Sequence, residues 1–243
     1  MTKKYKQSVL INNDSKKQLL NYFLKHKFFK DYDEIKNEND NEITLVYSSC
    51  LLSLKFCQIT QNFFIFLHFS KSDKSASLFK IHILRFFKKL KKYSKVFLLT
   101  TDTLVGLGTF LKNPNLKQIY LLKKRPLIKK IIILIGKIEQ LNSFISKENY
   151  QKYQKEFQQH WPGSTTLIIE RQGFRIPNNL AIQELLIKEG PAFVTSANIS
   201  NEKNLTLEQA RKKFFCIFNV YNLTIGNGIA SKIIDLDNNK ILR

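Results

Sequence analysis

Apolar positions recur every three to four residues over 15–30, where Leu19, Leu20, Phe23 and Leu24 share one face of an expected helix. The acidic, Asn-rich stretch 31–42 breaks that period and is expected to form a loop. Two runs rich in β-branched and aromatic residues, 43–56 and 62–69, then read as strands. A second helical period over 75–93 puts Phe79, Ile83, Phe86, Phe87 and Leu90 on one face and Lys80, Lys88, Lys89, Lys91 and Lys92 on the other. That pattern fits a surface helix packed by its aromatic stripe better than an RNA-binding or membrane-surface helix.

Beyond residue 95 the texture changes. Short apolar runs at 96–100, 131–135, 165–170 and 192–195 read as strands, and 115–122, 147–160, 179–189 and 207–215 as helices. Short strands close the chain near 220–223, 232–236 and 241–243. The alternation predicts an α/β fold with a mixed, twisted sheet and flanking helices. Residues 1–74 are expected to be a small N-terminal α+β extension, and residues 75–243 the main domain. Texture alone places the boundary near 75 or 94.

Composition narrows the function classes. The 243 residues carry 40 Lys+Arg against 19 Asp+Glu, a formal charge of +21, with a 43% hydrophobic fraction. A real core is expected, and general disorder is excluded. The longest uncharged run, 56–70, contains Gln58, Gln61, Asn62 and His68 and is too short and polar to span a membrane. Cys50, Cys57 and Cys216 fit no metal-ligand spacing, as expected of reduced thiols in a cytoplasmic protein. Asp102 is the sole acid between Asp73 and Glu139, so that stretch should attract polyanions, nucleotide or nucleic acid. Scarce Gly, Pro and Met point to AT-rich coding bias as the source of part of the lysine content.

Several constellations are missing. Gly106-Leu-Gly108 starts a dinucleotide-like turn, but Leu111 stands at the third glycine position; no P-loop occurs, and the four histidines are scattered. Four polar segments remain, each at a strand end or turn. They are TTDTLVGLG (100–108), KKRP (123–126) followed by Lys129 and Lys130, HWPGSTTLII (160–169) and FVTSANIS (193–200). Each alone has a structural reading as cap, turn or solvated charge.

In this order the four segments resemble the YrdC-like family, the threonylcarbamoyl-AMP synthases, over about 75–243, with GFRIP (173–177) and IASKIID (229–235) as further matches. The resemblance implies a twisted mixed sheet around a basic central cavity. It also implies synthesis of L-threonylcarbamoyladenylate and pyrophosphate from L-threonine, bicarbonate and ATP, with Mg²⁺ accompanying the ATP. A threonylcarbamoyl transferase would pass the group to position 37 of tRNA.

Carried over by motif, Lys123, Arg125, Ser196 and Asn198 are the expected catalytic set. Arg125, Lys129, Ser196 and Asn198 would bind ATP, and Thr103, Arg175 and Ser231 would bind threonine. No resident metal ligand is expected. The chemistry suits these residues, because attack of a carboxylated amine on an α-phosphate needs a charge clamp and positioning more than covalent help. The departures are Thr100 for proline, Val105 for tyrosine, Ser164-Thr165 for Pro-Leu, Asn201 for glycine, Leu134 where some members have histidine, and a shortened connection at 170–173. The alternative is a non-catalytic module of the same fold that binds double-stranded RNA or tRNA through its charge. A carbamoyl-transfer domain, as in hydrogenase maturation proteins, is a weaker third reading.

Overall fold

The computed structural model describes residues 10–12, 34–39, 42–47, 50–59, 62–70, 88 and 92–243. The chain divides into two compact units, residues 1–94 with 216–220, and residues 95–215 with 221–243.

The first unit contains an antiparallel sheet of β1 (Leu10–Asn12), β2 (Glu34–Asn39), β3 (Glu42–Tyr47), β4 (Cys50–Ile59) and β5 (Asn62–Ser70), in the order β1-β5-β4-β3-β2. The stretch 31–42 therefore is not a loop: it holds β2 and the first residue of β3. β2 is an edge strand, and its sequence EIKNEN leaves no apolar alternation to read. The run 43–56 is two strands rather than one, since Tyr47 pairs with Cys50. The expected helix 15–30 lies outside the described residues. So does most of the helix expected at 75–93, of which Lys88 and residues 92–93 are helical.

The second unit is α/β, as expected. In chain order its elements are β6 (Phe97–Leu99), β7 (Gly106–Phe110), α1 (Leu116–Lys123), β8 (Ile132–Leu134), a 3₁₀ turn (Ile138–Ser143), α2 (Lys147–Lys152) and α3 (Gln154–His160). β9 (Thr165–Ile169), β10 (Gln172–Arg175), α4 (Leu180–Glu189), β11 (Ala192–Ser196) and α5 (Leu207–Lys213) follow. β12 (Asn219–Tyr221), whose first two residues belong to the first unit, β13 (Lys232–Asp235) and β14 (Lys240–Ile241) complete the chain. The twisted sheet runs β6-β7-β11-β8-β10-β9-β13-β14. The β8–β10 and β9–β13 pairs are parallel and the others antiparallel.

Successive side chains on a strand leave opposite faces, and here both faces are used. Ile133, Leu167, Ile169 and Phe174 join Leu141, Tyr153, Phe157 and Trp161 in a core beneath the 3₁₀ turn, α2 and α3. Their neighbours Ile132, Leu134, Thr166, Ile168, Gly173 and Arg175 face a cavity on the other side. Leu134 and Val194 also pack with Ile182 and Leu186 of α4.

The helix expected over 147–160 breaks at Tyr153. Ser146 caps α2 by accepting from the Asn149 N–H at 3.2 Å, while Tyr153 sinks into the core and donates its hydroxyl to the Leu236 carbonyl at 3.1 Å. β7 escaped the pattern because two of its five residues are glycine, which is depleted in strands. A Cβ on Gly106 would stand 2.5 Å from Val194 Cγ1, and one on Gly108 would stand 2.7 Å from the Phe193 carbonyl oxygen. These glycines thus admit the neighbouring strand β11, and Gly106 also lines the cavity.

Candidate active site

The cavity of about 320 Å³ lies within the second unit and opens between β7, β8, β9, β10, β11 and β13. Arg125, Lys130, Arg171, Arg175 and Arg243 line it, and among the described residues no carboxylate does. The basic central cavity expected from the motifs is thus present in the structure. Thr101, Thr103, Thr166, Ser196 and Ser231 contribute hydroxyls, and Ile132, Leu134, Ile168 and Val194 give it an apolar wall.

At its buried end, Arg175 is 3% exposed and projects from the last residue of β10. Its Nη1 donates to Thr103 Oγ1 at 2.7 Å, its Nε to the Gly163 carbonyl at 2.9 Å, and its Nη2 forms an ion pair with Asp102 Oδ1. Burial pushes the guanidinium below its ordinary pKa, and the Asp102 carboxylate opposes that shift. The other Asp102 oxygen accepts the Asn178 N–H at 3.1 Å. The remaining N–H groups of Arg175 are available to a carboxylate in the fork geometry that arginine favours.

The first and third motifs both serve this arginine. Thr101 Oγ1 accepts the Thr103 and Leu104 N–H groups, both at 3.2 Å, and so folds the TTDT turn. In WPGS, the Trp161 indole donates to the Thr165 carbonyl at 2.8 Å and the ring stacks on Phe157, fixing the loop that supplies the Gly163 carbonyl. Thr103 and Arg175 are therefore brought together as the resemblance implied. Ser231 stands further along the wall, its hydroxyl 2.9 Å from that of Thr166. Asp102, the partly buried partner of Arg175, was missed as a site residue, although its isolation in a basic stretch was the available signal.

Gly226 belongs to the same construction. A Cβ there would lie 2.3 Å from the Thr103 carbonyl oxygen and 2.6 Å from that of Thr101, and the Gly228 N–H two residues on donates to the Thr103 carbonyl at 2.9 Å. Gly226→Ala must displace backbone, at about 1–3 kcal/mol. The expected result is a lower melting temperature, checked by thermal denaturation. An unchanged melting temperature would show that the turn can shift at no cost.

The KKRP segment splits into different roles. Lys124 takes a left-handed conformation (φ 49°) and ends α1, so Lys123 and Arg125 leave in different directions. Arg125 lines the cavity and clasps its own loop, donating Nε to the Lys129 carbonyl at 2.8 Å and Nη2 to the Lys130 carbonyl at 2.9 Å. Lys123 is 1% exposed and does not line the cavity. Its Nζ donates to the Ser196 and Asn198 carbonyls and, at 3.2 Å, to Asn198 Oδ1. Burial, and then repulsion from Arg125, lower its pKa to about 8. Lys129 is exposed and does not line the cavity either, whereas Lys130 does.

In the last motif Ser196 lines the cavity and Asn198 does not. Asn198 Oδ1 accepts from Ser196 Oγ at 2.6 Å and from Lys123, which makes Lys123 and Asn198 a buried mount for Ser196. Two departures from the family motifs now have physical reasons. Asn201 has φ 69°, a left-handed position that asparagine tolerates better than most side chains, so the glycine is dispensable. Thr100 donates its N–H to the Tyr221 carbonyl at 2.9 Å, which a proline could not do, and its hydroxyl accepts the Leu223 N–H at 2.8 Å.

Fold and cavity together define an α/β protein with a cationic binding chamber. The family model described as Telomere recombination matches residues 90–243, and the chain belongs to this Sua5/YciO/YrdC family. It is 30% identical over 186 residues to a threonylcarbamoyl-AMP synthase of Histophilus somni, covering 67% of this chain and 99% of that one. It is also 34% identical over 119 residues to an uncharacterized protein of Mycoplasma genitalium, covering 49% of this chain and 24% of that one. Among solved structures, Sua5 of P. abyssi complexed with L-threonine matches with a TM-score of 0.52 and 26% identity, over 65% of this chain and 51% of that one. The chain thus spans about a quarter of the Mycoplasma relative and about half of the Sua5 chain. Among the described residues no helix is long and apolar enough to cross a membrane.

Proposed function

We propose that the protein is a nucleotidyltransferase that makes L-threonylcarbamoyladenylate and pyrophosphate from L-threonine, bicarbonate and ATP. The observation that carries this reading is the buried Arg175 fork. It is held by Asp102, Thr103 and Gly163, with donors left over for an amino-acid carboxylate at the end of a cationic cavity. The similarity to Sua5 of P. abyssi, whose structure is a complex with L-threonine, and to the Histophilus synthase supports it.

Threonine would place its carboxylate on Arg175 and its hydroxyl among Thr103, Thr166 and Ser231. Its amine reacts with bicarbonate to form a carbamate and releases water. A carbamate oxygen then attacks the α-phosphorus of ATP, a new P–O bond forms, and the bond to the β-phosphate oxygen breaks as pyrophosphate leaves. Arg125 and Lys130 would hold the phosphates and stabilise charge in the transition state, and Ser196 would meet the nucleotide. Among the described residues no cluster of His, Cys, Asp or Glu could hold a metal ion, and the cavity wall has no carboxylate. These residues do not fit a resident metal, so Mg²⁺ would enter as part of the ATP substrate. The product is a mixed anhydride, which a downstream threonylcarbamoyl transferase would use on tRNA in the cytoplasm.

Incubation with MgATP, bicarbonate and threonine is expected to release threonine-dependent pyrophosphate. Arg125→Ala should lower kcat/KM for ATP by about 10²-fold or more, as expected for loss of a preorganised charge at a transferring phosphate. No product from well-folded wild-type protein overturns the synthase reading. If Arg125→Ala merely trims affinity for duplex RNA while the wild type turns over no ATP, the RNA-binding alternative takes its place.

A further inference from the structure

The hairpin between β9 and β10 turns on two residues, Glu170 and Arg171, with φ of 49° and 64°. Two successive left-handed residues make the turn type that matches strand twist, and Asn-Gly is the usual occupant. A Glu-Arg pair adopts it here because the turn is held from outside. The Glu170 N–H donates to Asp237 Oδ1 at 2.9 Å and the Arg171 N–H to Asp237 Oδ2 at 2.7 Å. One carboxylate thus fills the nest made by two consecutive amides. Two further ties converge on the turn: Glu170 Oε1 accepts the Ser146 N–H and the Asn149 side chain, both at 2.8 Å, and the Arg171 carbonyl accepts Lys130 Nζ at 2.9 Å.

The constrained turn places Arg171, an exposed guanidinium side chain, in the cavity lining with Lys130, whose Nζ meets its backbone carbonyl, at the segment where this chain is shorter than the family pattern. Among the described residues that guanidinium makes no hydrogen bond or ion pair. Asparagine or glycine would adopt these two φ values more easily, so the turn's backbone does not by itself account for an arginine. We infer that Arg171 is an anion-contact residue for the polyphosphate of the nucleotide, and that Asp237 is its positioning residue. The identity of the anion rests on the synthase reading, whereas the presence of a polyphosphate site does not.

The test is calorimetric titration of the full chain with inorganic pyrophosphate, with orthophosphate and L-threonine as controls. Wild type is expected to bind pyrophosphate, and Arg171→Ala to weaken it about tenfold or more, as loss of a charge-assisted contact would. Arg171→Lys should retain part of the affinity, and threonine affinity should stay within about twofold, because Arg171 lies outside the Arg175 fork. Asp237→Ala should weaken pyrophosphate binding, and Glu170→Gly added to Asp237→Ala should recover it by relieving the left-handed strain. A purely structural Asp237 would lower the melting temperature and leave pyrophosphate affinity alone.

The inference is overturned if wild type does not bind pyrophosphate, if Arg171→Ala binds it as wild type does, or if Arg171→Ala loses tRNA binding while keeping pyrophosphate. The two readings separate in turnover assays. Wild-type synthesis with an unchanged KM for ATP in Arg171→Ala sinks this inference alone. Arg171-dependent pyrophosphate binding without any synthesis keeps it and sinks the synthase.

Discussion

Arg175→Ala is expected to abolish threonine-dependent pyrophosphate release and to cost about 3 kcal/mol of stability, the low end for breaking a buried ion pair because Asp102 is only partly buried. The cost arises because Asp102 would keep one accepted N–H, from Asn178, and lose its charge partner, while the Gly163 carbonyl and Thr103 hydroxyl lose their donor. Arg175→Lys restores the charge but not the fork. It is expected to recover part of the stability and little of the activity, since a single ammonium cannot reach Asp102, Thr103, Gly163 and a ligand together. Urea titration and steady-state kinetics with varied threonine check both halves. An unchanged KM for threonine in a folded Arg175→Ala protein would place the amino acid elsewhere in the cavity.

Lys123→Met should be the second large effect, with a loss in kcat/KM for ATP of about two orders of magnitude although the side chain never faces the cavity. Methionine keeps most of the volume but leaves the Ser196 carbonyl, the Asn198 carbonyl and Asn198 Oδ1 without their donor. Each buried acceptor left unsatisfied costs about 1–3 kcal/mol. Ser196 would then lose its fixed direction.

The same geometry predicts a pH signature in the wild type. The ammonium has three donors for three acceptors, and above about pH 8 it becomes an amine with two. ATP affinity should therefore fall as pH rises through 8. The contribution to stability runs the other way. The folded-state pKa lies below the ordinary 10.5, so between about 8 and 10.5 the unfolded chain binds more protons, and this group's contribution improves with rising pH. Opposite slopes for ATP binding and urea midpoint, both absent in Lys123→Met, are the expected result. Parallel slopes would assign the pH effect to another group.

Most of the second unit was legible along the chain. β8, β9, β11 and β13 are apolar runs with clear turn signals, and each lies within about a residue of its expected position. β7 and β10 were not, for a shared reason: Gly106 and Gly108 owe their presence to Val194 and Phe193 on β11, and the Glu170-Arg171 turn owes its shape to Asp237. Neither influence is local. Alternation was also hidden in β8, because Ile132 and Leu134 face the cavity while Ile133 faces the core, so both faces are apolar. In the first unit, β2 was unreadable because this edge strand, EIKNEN, holds a single apolar residue and so shows no alternation.

By itself the sequence determined the family, the α/β class and a cationic character for the cavity, because ordered motifs and a nearly acid-free basic stretch survive any arrangement of the chain. Tertiary structure alone decided what each charge does. Side by side in sequence, Lys123 and Arg125 look like one clamp. The left-handed Lys124 between them sends one into a buried mount for Ser196 and the other to the cavity wall. Asp102 meets Arg175, and Asp237 meets the Glu170-Arg171 turn, only when strands far apart in the chain are paired. A charge acts through what lies within a few ångströms of it, and that distance is set by the sheet rather than by neighbours along the chain.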